Sequence, residues 1–290
     1  MTKDKLTPQK WAFQLTRILN AYANGEDRFP VNVKAIAKDF SHHKYPDDPI
    51  TKIKGAALPR FDGGLFKAPV GKKGWGIIYN DSMKSKGRIN YTLAHEFGHY
   101  LLHRLVYPNG IECGEQDMVR WDSAFGQIEH EANVFAANLL MPLDDYRQQI
   151  DPKTIIDMDM VGHCADRYEV SLIAAVLRWI EYTERRAVLV VSRDGFILWA
   201  RSSKPAYRSG IFFKTSNRPP IPVPENSLAA GLITSESQRQ GVRLPSGVWF
   251  NESCEEMVIF SELYDFTISV LQLENTTAGY IDNYERYHQK

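Results

Sequence analysis

The sequence is poor in three features, and each shortage narrows what the protein can be. It has only three cysteines, Cys113, Cys164 and Cys254, set far apart with no Cys-x-x-Cys pair. That argues against a cysteine zinc site and for a reducing compartment. No apolar run approaches the roughly 20 residues needed to span a bilayer, so no membrane role is expected. Its 35 basic and 35 acidic side chains give a formal net charge of zero, which removes any global pull toward nucleic acid or anionic membrane. Internal repeats and low-complexity tracts are also missing. Met1-Thr2-Lys3-Asp4-Lys5 leads into an amphipathic segment rather than the apolar core of a signal peptide. A cytoplasmic protein is expected.

What is present suits a soluble globular chain of 290 residues, 43% hydrophobic and 24% charged, with ample material for a core. Thr7-Pro8 opens a helix that Gly25 closes, with Trp11, Leu15, Ile18 and Tyr22 on one buried face. Asn32 caps a second helix through Phe40, and His42-His43 follow in a polar loop as solvated side chains. Residues 53–58, 64–67 and 75–79 read as strands, separated by turns at Asp62-Gly63 and Gly71-Lys72-Lys73-Gly74. A small antiparallel sheet is expected there, and its edge can accept an extended peptide as an added strand.

Directly after these strands stands His95-Glu96-x-x-His99, within a helix over residues 91–103 that Asn90 is expected to cap. Residues four apart on a helix are about 40° apart, so both imidazoles can reach one metal ion. Glu96 is then placed to take a proton from an attacking water. A chance match is the competing reading of so short a pattern. His103 lies about 12 Å from His95 along the axis, too far to share an ion. The metzincin pattern fails too, because Leu102 and Leu105 occupy its Gly and His positions.

A third ligand is expected on the helix at residues 123–140, where Glu129, His130 and Glu131 are all available. If Ile128, Phe135 and Leu139 define the inward face, Glu131 lies about 60° to one side and Glu129 about 100° to the other. His130 points away. Glu131 is therefore the expected ligand, and an ion pair of Glu131 with a buried Arg or Lys is the competing reading.

Three stretches carry a family resemblance: Ile77-Ile78-Tyr79-Asn80 with Arg88, Thr92 to His103, and Glu131-Ala132-Asn133-Val134-Phe135-Ala136-Ala137-Asn138-Leu139-Leu140-Met141-Pro142. Together they resemble the ImmA/IrrE family of zinc metallopeptidases over roughly residues 30–180. The resemblance implies a zincin-like core, Zn²⁺ held by His95, His99 and Glu131, and catalysis by Glu96. Such His₂Glu sites also accept Mn²⁺ or Co²⁺. Thermolysin-like enzymes carry an Asp four residues after the ligand Glu. From Glu131 that position is Phe135, so the groups that orient the imidazoles stay open, as does an oxyanion role for Tyr91, His103 or His130. The implied substrate is a helix-turn-helix transcriptional repressor, a separate chain cut in a stress or mobile-element response.

Residues 157–168 and 171–182 read as a helix pair resembling a helix-turn-helix, with Ser171 capping the second. Asp157, Asp159, Asp166, Glu169 and Glu181 outweigh Arg167 and Arg178, so direct DNA binding is not expected. Beyond Arg186 the texture is strand-like: 187–191 and 196–200 flank the hairpin turn Arg193-Asp194-Gly195, and 211–215, 248–251, 257–261 and 266–273 follow. A short helix is expected at 227–232, an extended Pro-rich loop at 218–224 and fraying at 274–290. Some family members carry a GAF-like sensor domain in this position.

The expected architecture is α+β. A zincin-like helical metallopeptidase core with its small antiparallel sheet spans residues 1–150. The helix-turn-helix-like pair spans 151–185, and an α+β, GAF-like C-terminal domain spans 186–290. The competing function is a non-proteolytic regulator with structural zinc that binds a partner or ligand through its C-terminal domain.

Overall fold

The computed structural model describes residues 6–58, 61–113, 124–216, 218–231, 236–262 and 264–275 of the chain, which has a mixed α+β architecture. It divides into two compact units, Met1–Tyr146 with Cys164–Ala174, and Arg147–His163 with Ala175–Lys290. Among the described residues no helix is long and apolar enough to cross a membrane.

Helix α1 (Pro8–Ala23) starts where the Thr7 hydroxyl accepts the Lys10 N–H, and it ends at Asn24, whose φ of 48° is left-handed. Its burial runs through Trp11, Ala12, Leu15 and Thr16, whereas Ile18 and Tyr22 are 46% and 89% exposed. The expected stripe thus holds for the first half of the helix alone, where α1 meets its neighbour in the core. Helix α2 (Val33–Lys44), capped by Asn32, runs past Phe40 and takes in His42 and His43. With Lys44 they form a basic last turn that complements the helix dipole, so they are not in a loop.

Strands β1 (Ile50–Ala56), β2 (Gly63–Lys67) and β3 (Trp75–Asn80) precede helix α3 (Lys86–Leu102), and β4 (Gly110–Cys113) follows it. Their sheet has the order β1-β3-β2-β4. β2 and β3 form the expected hairpin, but β3 lies parallel to β1, with Ile53 opposite Ile77, so the sheet is mixed rather than antiparallel. Trp75 and Ile77 are almost fully buried, which suits β3 to a central position between two neighbours.

Helix α3 begins five residues earlier than expected. Ser85, not Asn90, accepts the first-turn N–H, from Arg88, while the Asn90 amide inside the helix donates to the Glu169 carbonyl at 3.3 Å. The Arg88 guanidinium reaches Asp62 Oδ2 at 2.7 and 2.9 Å, fixing the helix start to the approach to β2. At the other end Arg104 lies over the Tyr45 and Tyr100 rings and donates to Asp48. Everything from Thr92 to Leu102 is buried.

Helix α4 (Ala124–Leu140) packs on both α3 and α1; Ser123, where it was expected to start, lies outside the described residues. A Cβ on Gly98 would come 2.9 Å from the Phe135 ring and 3.3 Å from Ala132 Cα, so glycine and alanine let the two backbones approach closely. Phe97 meets Phe135 edge-on at 5.7 Å, which anchors the core between the helices.

Helix α5 (Leu143–Gln149) leads to α6 (Met158–Tyr168) and α7 (Leu172–Tyr182). Their turn has Glu169 at φ 49°, and the Ser171 hydroxyl caps α7 by accepting the Ala174 N–H at 3.2 Å, as expected.

The second unit holds an antiparallel sheet of β5 (Arg186–Arg193), β6 (Phe196–Ser202), β7 (Ile221–Pro222), β8 (Val242–Leu244), β9 (Cys254–Ser261) and β10 (Phe266–Leu273), in the order β7-β6-β5-β10-β9-β8. Asp194 and Gly195, both at positive φ, make the expected β5–β6 turn. Short helices α8 (Lys204–Arg208) and α9 (Glu236–Gln240) and a 3-10 turn at Leu228–Ala230 complete the unit. The stretches 211–215 and 248–251 are not strands. Their aromatic residues, with Phe213 edge-on to Trp249 at 5.9 Å, fill the core without pairing their backbones. Part of the Pro-rich stretch instead pairs as β7. Of the expected fraying tail, residues 276–290 lie outside the described residues.

Candidate metal centre

Helix α3 presents His95, Glu96 and His99, with His103 as its C-cap, and α4 faces it with Glu129, Glu131 and Asn133. His95 Nε2 and His99 Nε2 lie 2.9 Å apart. Glu129 closes the group, with Oε2 3.1 Å from His95 Nε2 and Oε1 3.1 Å from His99 Nε2. The three donors are 7%, 0% and 5% exposed. Among the described residues this is the group of His, Cys, Asp and Glu side chains able to hold a metal ion.

The third carboxylate is therefore Glu129, not Glu131, which stands 3.0 Å from His103 Nε2. The expected inward face was drawn through Ile128, Phe135 and Leu139. The buried stripe in fact runs through Glu129, Ala132, Phe135, Ala136, Leu139 and Leu140, and Ile128 is only half-buried. Taken over all six positions, the face is turned by about 60° toward Glu129, which leaves Glu131 on the flank. Small side chains carry weight here because they sit where the helices come closest.

With Glu129 in that place, the residue four further on is Asn133, and its Oδ1 lies 3.0 Å from His95 Nδ1. The Tyr91 hydroxyl donates to the same oxygen at 3.0 Å. On the other side, His99 Nδ1 lies 3.0 Å from His103 Nδ1. So His103 does not face the site directly, but it does touch a residue that does. His130 is exposed on the outer side of α4. Sequence reasoning weighed Glu129 but set it aside for Glu131, named Tyr91 only for an oxyanion role, and missed Asn133. The available signal was the four-residue spacing from Glu129 to Asn133, which matches a ligand and the group that orients a facing imidazole.

Glu96 is fully buried and lies beneath β2. A Cβ at Gly63 would come 2.5 Å from Thr92 Cγ2 and 3.2 Å from Glu96 Oε1, so glycine at that position leaves room for the carboxylate.

The electrostatics favour a cation. Burial opposes charge on Glu129, but hydrogen bonds with His95 and His99 and the charge of the His95 imidazole hold its carboxyl well below the usual carboxylate range. Burial also opposes charge on His95, yet Glu129 and the nearby Glu96 carboxylate raise its pKa above the ordinary value. Burial together with His95 pushes His99 down to about 3, so it is neutral, as a ligand must be. Burial and the charge of Glu129 raise the Tyr91 phenol, which stays protonated. Two imidazoles and a carboxylate, all buried, converge beside a second buried carboxylate. This donor set fits a divalent ion that accepts nitrogen and oxygen ligands, as in His₂Glu zinc sites.

Residues 52–179, which include all four of these side chains, match a family model described as Peptidase_M78, IrrE N-terminal-like domain. A comparison with curated proteins found no match.

Proposed function

Since residues 52–179 place the chain in the ImmA/IrrE family of metallopeptidases, we propose that it is a zinc-dependent endopeptidase with His95, His99 and Glu129 as metal ligands and Glu96 as general base. The observation that carries this reading is the convergence of two imidazoles and a carboxylate with a second buried carboxylate adjacent in sequence. Held by those three residues, Zn²⁺, or Mn²⁺ or Co²⁺ in its place, supplies Lewis acidity toward the scissile carbonyl and the attacking water. Glu96 takes a proton from that water and returns it to the leaving amine. Burial beneath Gly63 keeps Glu96 in one orientation during both transfers.

The substrate is an extended peptide segment added along β4, the outer strand next to β2, with β2 as its one sheet neighbour among the described residues. It belongs to another chain, a helix-turn-helix transcriptional repressor cut in the cytoplasm in a stress or mobile-element response. The first 150 residues act as a zincin-like peptidase domain, and residues 186–290 as a GAF-like sensor domain. The helix pair of residues 151–185 serves packing rather than DNA reading. Arg167 is engaged by Asp145 and Asp27, and Arg178 is buried and paired with Glu181.

The test is cleavage of the repressor encoded beside this gene by the zinc-loaded protein, followed by mass spectrometry. Glu96→Gln is expected to keep its zinc and to cut at least about 100-fold more slowly. Equal cutting by the variant and the wild type overturns the proposal.

A further inference from the structure

For His99 to bind an ion through Nε2, that nitrogen must carry its lone pair, which puts the ring proton on Nδ1. Nδ1 lies 3.0 Å from His103 Nδ1. A donor on one side requires an acceptor on the other, so His103 Nδ1 is unprotonated and the His103 proton sits on Nε2. That nitrogen is 3.0 Å from Glu131 Oε2, which accepts it. With His99 bound through Nε2, these contacts are satisfied when His99 donates to His103 and His103 donates to Glu131.

We propose that His103 and Glu131 are positioning residues for the metal centre, holding His99 in its Nδ1-protonated tautomer with Nε2 turned to the ion. This rests on the metal-site reading above and adds to it two residues that touch neither ion nor substrate. The other imidazole is held differently: His95 donates to the neutral amide of Asn133, which is steadied in turn by the Tyr91 hydroxyl. One ligand is thus oriented by an amide and the other by a carboxylate acting through a second imidazole.

A purely structural role for His103 accounts for less. Its backbone N–H already caps α3 by donating to the His99 carbonyl at 2.8 Å, and the Arg104 N–H reaches the same oxygen at 3.1 Å. Any residue could supply that cap. The side chain is 1% exposed, one helical turn beyond His99, with a ring nitrogen at hydrogen-bond distance on each side. Imidazole is the side chain that can accept on one edge and donate on the opposite one.

The test uses the full chain and Zn²⁺, with affinity read by competition against a chromophoric chelator and folding by thermal unfolding of the metal-free protein. Glu131→Ala is expected to weaken zinc binding about 10-fold, and His103→Phe up to about 100-fold, the range for partners behind a ligand. Glu131→Gln, whose amide oxygen can still accept from His103, should recover most of the loss. Unfolding of the metal-free Glu131 variants should match the wild type, since that side chain is partly exposed. Long-range proton–nitrogen spectra of zinc-loaded wild type should show His99 protonated at Nδ1. Zinc affinity within twofold of wild type in both Glu131→Ala and His103→Phe overturns the proposal and leaves the metal site standing. Equal weakness of Glu131→Gln and Glu131→Ala also overturns it, because charge rather than orientation would then be acting. A wild type that binds no zinc overturns the metal site itself, and this inference with it.

Discussion

In the first unit His95, Glu96, His99 and Glu129 are all buried on two neighbouring helices, whereas in the second unit Arg186 and Glu256 are buried on separate strands. The Arg186 guanidinium grips Glu252 with two nitrogens at 2.6 and 2.8 Å and also reaches Ser209 and the Glu274 carbonyl. Glu256 accepts the Leu228 and Ala229 N–H groups at 2.8 and 3.3 Å, where the 3-10 turn begins. Each of these charges is answered by groups whose own place is structural. In the first unit the donor atoms of three residues face a single point instead. Burial of charge is common to both units; convergence separates a candidate site from a brace.

The comparison breaks most visibly at Glu129. Glu129→Ala should cost more zinc affinity than the roughly 100-fold expected for removal of a supporting partner, and so more than either Glu131 variant. Chelator competition on all three variants ranks them, and a ranking with Glu131→Ala lowest would return the ligand role to Glu131.

Arg186→Ala should act on stability alone. Removing one partner of a fully buried ion pair costs about 3–5 kcal/mol. Because Glu252 is about one-third exposed, a loss nearer 2 kcal/mol is expected, with zinc affinity unchanged. Denaturant unfolding and zinc titration on the same preparation separate the two effects.

The smallest effect concerns Glu256. Burial raises its pKa above the ordinary 4.5, although Trp249 and the Leu228 and Ala229 N–H groups pull the other way. The folded protein therefore binds more protons here than the unfolded chain does. Stability from this group is present below the unfolded pKa and is lost as pH rises toward the folded one. Glu256→Gln should flatten the decline of stability with pH above about 4.5, measured by urea unfolding across a pH series. An unchanged slope would show that the carboxylate is not charged at a cost in the folded state.

Much of this molecule could be read in one dimension. The His95/His99 pair, the carboxylate of Glu96 beside it, the β2–β3 hairpin, the Asp194-Gly195 turn and the Ser171 cap all depend on neighbours within a few residues. The misreadings were of another kind. Ile18 and Tyr22 lie on the expected face of α1, but burial stops at Thr16. β3 pairs parallel with β1 because the hairpin places β3, not β2, beside it. Residues 211–215 and 248–251 are apolar enough for strands, yet they fill the core as irregular chain.

The amino-acid order alone determined that α3 offers two imidazoles and a carboxylate on adjoining positions, since rise and twist within a helix are local and nearly invariant. Only tertiary structure decided which carboxylate of α4 meets them. That choice is a rotation of about 60° of one helix about its axis, set by the close approach of Gly98 to Ala132 and by the seat of Phe135. Contacts between two helices depend on packing across a gap; the four-residue spacing from Glu129 to Asn133 is compatible with that rotation but does not set it.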